Sequence, residues 1–131
     1  MRAQGTFTIQ SWDEQRYEEV PNGGRLTRAA VKQAFSGDFE GDGAVQWLMC
    51  HRPDETAEFV GIQSFSGQIG GLSGSVVLVQ TDGTFDGGLA TGRLAVVPGS
   101  GTGELSGLRG EGEFTAPHGS PASITLDYEL E

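Results

Sequence analysis

The chain has 131 residues, 22 of them glycine, with 36% hydrophobic residues, one cysteine and a formal charge of −10. That length supports one core and a single domain, residues 1–131, while a lone cysteine excludes an intramolecular disulfide and two distant histidines, His51 and His118, exclude a zinc-type ligand spacing, so no metal and no cofactor are expected. The negative charge repels phosphate backbones and anionic lipid, and no run approaches the roughly 20 apolar residues of a membrane span; nucleic acid and membrane are poor partners, and a reducing, cytoplasmic setting is expected.

Glycine-rich composition with Thr, Ser, Val and Phe favours strands over long helices. The first strand is read from the alternation Thr6-Phe7-Thr8-Ile9-Gln10, the second from Val31-Lys32-Gln33-Ala34-Phe35, and the last from Ile124 to Leu130. Turn signals separate the elements at Pro21-Asn22-Gly23-Gly24, Glu40-Gly41-Asp42-Gly43, Pro53-Asp54-Glu55, Gly70-Gly71, Asp86-Gly87-Gly88, Pro98-Gly99-Ser100-Gly101 and Pro117-His118-Gly119. These turns predict an all-β, eight-stranded antiparallel up-and-down barrel with little or no helix, the one helical turn lying in Glu104–Leu108. A barrel of that strand number is just wide enough to be filled by side chains or to hold one small ligand.

Hairpins centred on Gly41-Asp42, Asp54-Glu55 and Gly70-Gly71 place Val31, Gln33, Phe35, Phe39, Gln46, Leu48, Cys50, Phe59, Gln63, Phe65, Val76, Leu78 and Gln80 on one face, with Gln46 opposite Gln63. This face is expected to line the lumen. The opposite face carries Val45, Trp47, Met49, Val60, Ile62, Val77 and Val79, an apolar stripe expected to mediate homo-oligomerisation through Trp47, Met49, Val60, Ile62 and Val79. With the faces reversed, that stripe would be the core.

Four buried amides among phenylalanines must bond to each other, to water or to a ligand. Gln33, Gln46, Gln63 and Gln80, with Phe35, Phe59, Phe65 and Cys50, are therefore the candidate ligand-binding residues. Amides can orient a substrate but have no useful acid or base function. Cys50 has no activating cation in this register and reads as an inert thiol, while His51 faces outward beside Glu58 as a surface hydrogen bond. His118 sits in a turn, solvated unless that loop covers a barrel mouth. Glu111, Glu113 and Asp127 read as solvated faces. The segment Gly99–Gly107 superficially resembles a phosphate loop but lacks the Gly-Lys-Ser/Thr ending, and its glycines fit turns and a close backbone crossing instead.

The residues Gly5-Thr6-Phe7, Ser11-Trp12-Asp13, the run from Gln33 to Gly41, Phe59-Val60-Gly61, Gly70 to Ser75, Val97 to Leu105 and Leu126-Asp127-Tyr128 together resemble the bacterial domain-of-unknown-function family 3224. That family is similar in fold to the allene oxide cyclase barrels and, more remotely, to dirigent proteins. The resemblance implies an eight-stranded barrel that often oligomerises, and no established activity. Members often carry Glu, Arg and His where this chain has Gln63, Leu72 and Gln80, so an activity resting on that charged trio is not expected here. The functional expectation is a barrel that binds a small apolar molecule in its lumen. The alternatives are a cyclase or isomerase acting by conformational confinement and a non-catalytic oligomeric protein. An open apolar cavity favours the first two, and an acid or base at its mouth favours catalysis.

Overall fold

Period-two alternation along β-favouring segments, broken by glycine turns, builds eight strands in the computed structural model, which describes residues 1–131. They are β1 (Arg2–Glu19), β2 (Arg25–Gly37), β3 (Phe39–His51), β4 (Ala57–Ile69), β5 (Leu72–Asp86), β6 (Leu89–Val96), β7 (Leu108–Pro117) and β8 (Ala122–Leu130), with one 3₁₀ turn at Gly103–Leu105. Each strand is antiparallel to the next, and β8 returns to β1 to close the barrel. No helix is long and apolar enough to cross a membrane.

Six of the expected turns fall between strands, but Glu40-Gly41-Asp42-Gly43 lies inside β3. The chain reverses instead at Gly37-Asp38, where Gly37 takes φ +98° and the Asp38 carboxylate accepts the Gln4 N–H at 2.9 Å. The glycines that mimic a turn serve close packing: a Cβ on Gly43 would sit 2.6 Å from the Phe35 ring and 3.0 Å from Gln63 Nε2. The β3–β4 connection differs too. Arg52 N–H bonds to Thr56 O, making a three-residue loop with Glu55 at φ +71°, so Met49 pairs with Phe59 and Gln46 with Ile62.

These shifts turn β3 over relative to the expected faces. Val45, Trp47 and Met49 point into the barrel, whereas Gln46, Leu48 and Cys50 are exposed. Gln46 therefore does not face Gln63, and Cys50 is not a lumen residue. Of the residues expected to mediate oligomerisation, Trp47 and Met49 belong to the core; Val60 and Ile62 are exposed and Val79 is half-buried. The faces of β2, β4 and β5 are as expected, including Gln63 opposite Leu78.

One end of the barrel is filled. Phe65 packs edge to face against both Phe35 and Phe39 there, with Phe35 and Phe65 centroids 5.2 Å apart, beside Ile69, Leu105 and Leu126. The segment after β6 completes this end by running along the first half of β5: Thr102 N–H bonds to Ser75 O, and Ser100 Oγ accepts the Val77 N–H at 3.0 Å. A side chain on Gly74 would strike the Thr102 carbonyl, which is the close backbone crossing that the glycine-rich segment implies. The other end is open because β1 leaves β8 at the Phe7–Ala122 pair and continues to Glu19 against β2 alone.

Candidate functional site

Across the middle of the barrel runs a chain of side-chain hydrogen bonds. Trp47 Nε1 donates to Gln80 Oε1 at 2.6 Å, Gln80 Nε2 donates to Gln63 Oε1, and Gln63 Nε2 donates to Gln33 Oε1 at 2.8 Å. No buried polar side-chain atom is left without a partner. The three glutamines thus link to one another and to Trp47, and they form a floor between the filled end and the open one. Phe35 and Phe65 lie in the filled end, so Phe59 is the one member of the expected ligand-binding set that lines the cavity above the floor.

That cavity has a volume of about 650 Å³. Its walls are aromatic: Trp47 lies 5.5 Å from Trp12 and 5.4 Å from Phe59 between ring centroids, with Phe7, Phe85 and Phe114 completing the ring. Met49, Ala90, Ala116 and Ala122 fill the spaces between them, and Pro117 to Pro121 form the rim on one side. The side occupied by β1 depends on a bulge between Ile9 and Ser11, which lets Ile9 pair with Gln33 and Trp12 with Val31. Both side chains consequently reach the cavity although they are odd and even in number, and a strict period of two cannot place them together.

Its polar groups are few: Glu14 and His51 on one side, His118 and Ser120 in the turn opposite, and Thr8 between. His51 Nε2 lies 2.7 Å from Glu14 Oε2, replacing the expected contact with Glu58, which pairs with Arg52 instead. Glu14 also accepts from Thr27 Oγ1 at 2.7 Å and from Trp12 Nε1 at 3.0 Å. Burial by itself pushes the Glu14 carboxyl up, but the hydrogen bonds from Thr27, Trp12 and His51 outweigh it and hold the group below its ordinary value. His118 stands at the rim of this same cavity. Glu111, Glu113 and Asp127 are exposed, Asp127 in an ion pair with Arg2 at 2.8 Å. No three His, Cys, Asp or Glu side chains come together as a metal site requires.

A depressed carboxyl contributes stability that is present above its unfolded value and lost as pH falls through the lower folded value. Glu14→Gln is therefore expected to cost about 1–2 kcal/mol at pH 7, because the amide cannot accept three donors, two of them on one oxygen, as a carboxylate does. The difference from wild type should shrink as pH drops below about 4.3. Urea unfolding across the acid range checks this, and a difference that stays constant to pH 2 would contradict it.

The family model described as "Protein of unknown function (DUF3224)" matches residues 3–128. A solved structure from Shewanella oneidensis MR-1, described as a protein with unknown function from that family, is 26% identical over 100% of this chain and 98% of its own, with a TM-score of 0.83. No curated protein matches the chain.

Proposed function

Because the chain belongs to the DUF3224 family, described as proteins of unknown function, we propose from its own cavity that it binds a small, largely apolar molecule at the open end. One observation carries this reading: an aromatic chamber of about 650 Å³ stands above a sealed amide floor, with a few polar groups at its edge. Sites for small molecules commonly have that composition and size. The binding surface is then Trp12, Trp47, Phe59 and Phe114 rather than Gln63 and Gln80, each of which already both donates and accepts a side-chain hydrogen bond in the floor.

The two tryptophans of the chain, Trp12 and Trp47, both line this chamber, so the protein carries its own reporter. Addition of the neutral probe N-phenyl-1-naphthylamine is expected to quench tryptophan emission with one-site saturation in the micromolar range. Ala116→Phe, which places a ring into the chamber, should weaken that binding at least about tenfold. Absence of quenching up to the solubility limit of the probe, or equal quenching in the filled variant, would overturn the reading.

A further inference from the structure

Resting on that binding site, the geometry points to a chemical activity within it: His51, oriented by Glu14, is a general base that isomerises a neutral, apolar carbonyl compound by moving a proton between two of its carbons. His51 lines the chamber at the end of β3 and is only 18% exposed, and Glu14 reaches it from β1. The 2.7 Å contact with the carboxylate makes Nε2 the protonated nitrogen and leaves the Nδ1 lone pair free. Nδ1 has no hydrogen bond within the chain, yet no buried polar side-chain atom lacks a partner, so this nitrogen is reachable from outside the packed core. A base, its orienting carboxylate and a substrate-sized apolar chamber thus occupy one place, which an ordinary surface ion pair does not provide.

The surroundings define the substrate class. No Lys or Arg lines the chamber, so nothing there favours a strongly anionic group. A neutral imidazole is a modest base, so the C–H bond must be acidified by an adjacent carbonyl. In the step, that C–H bond breaks and its proton moves to Nδ1. The electron pair passes into the enolate, and the imidazolium returns the proton to a different carbon of the same conjugated system. Substrate and product are isomers, so no oxidant, reductant or co-reactant is needed. His51 is the catalytic residue in this scheme, and Glu14 is a positioning residue acting through it.

The probe is 5-nitrobenzisoxazole, a flat apolar carbon acid. A base removes its C3 proton, the ring N–O bond breaks, and 2-cyano-4-nitrophenolate forms with the electron pair on oxygen. The wild-type chain is expected to accelerate this reaction with saturation, and His51→Gln should lower kcat at least about tenfold. His51→Phe, which keeps a flat aromatic ring and loses both nitrogens, is the second variant should glutamine disturb folding. Glu14→Gln should lower kcat with KM within about twofold and should also move the pH profile of kcat, a change that a smaller folded fraction alone does not produce. Lys32→Gln, the chain's only lysine and exposed on β2, should change nothing. Undiminished turnover in both His51 variants, or turnover lost with Lys32, would overturn the assignment. Quenching of tryptophan emission without turnover would overturn it and leave the binding function standing; absence of turnover together with absence of quenching by N-phenyl-1-naphthylamine would remove both.

Discussion

Gln63→Leu is expected to destabilise the barrel by about 2–4 kcal/mol in urea unfolding, while Gln46→Leu, one residue along β3 from Gln63's partner Val45, stays within about 0.5 kcal/mol. The contrast follows from where the two amides lie. Gln63 accepts from Gln80 and donates to Gln33 in a site that is 1% exposed, so leucine leaves a buried donor and a buried acceptor unpaired at once. Each such orphan costs about 1–3 kcal/mol, and the apolar gain of leucine offsets part of the sum. Gln46 faces solvent from β3 and makes no side-chain hydrogen bond to lose. Equal effects at the two positions would mean that β3 presents its other face to the core.

A methyl group at Gly61 should cost about 3–5 kcal/mol. The Cβ of Gly61→Ala would collide with Trp47 Cδ1 and lie 2.8 Å from the Gln46 carbonyl oxygen. Trp47 can escape only by rotating, and rotation breaks its 2.6 Å bond to Gln80, so the overpacking cost of about 1–3 kcal/mol is joined by that of an unsatisfied buried amide. Thermal unfolding followed by far-UV circular dichroism reads the loss, and a destabilisation below about 1 kcal/mol would show that Trp47 is not wedged in this way.

Strand number, turn order and the inward faces of β2, β4 and β5 were legible because they rest on alternation and on glycine punctuation. The face of β3 was not, for a specific reason. Gly41-Asp42-Gly43 has the composition of a hairpin turn, but its glycines make room for Phe35 and the amide chain from within a strand. The Asp54-Glu55 hairpin holds one residue more than a two-residue turn, since Glu55 adopts a left-handed conformation unusual for its type. A one-residue difference reverses every side chain on the strand, which is how Trp47 and Cys50 exchanged places.

The cavity was hidden by the same class of feature. Trp12 and Glu14 enter it through a bulge in β1, and a single extra residue in a strand leaves no compositional mark. The pairing of His51 with Glu14 joins residues 37 apart in the chain and depends on β1 outrunning β8, so local spacing pointed to Glu58 instead. Of the four glutamines read as buried groups needing partners, Gln33, Gln63 and Gln80 are buried, and Gln46 is exposed on β3. Three of them supply those partners to one another and to Trp47.

The proposed binding rests on the apolar walls of the chamber and the stability of the floor on its amides, with Trp47 belonging to both, and the dissociation constant of N-phenyl-1-naphthylamine compared across three proteins tests that division most directly. Wild type and folded Gln63→Leu are predicted to bind the probe within about twofold of each other, while Ala116→Phe binds at least about tenfold more weakly at unchanged stability. Loss of binding in Gln63→Leu with full binding in Ala116→Phe would place the ligand against the glutamines and contradict the account.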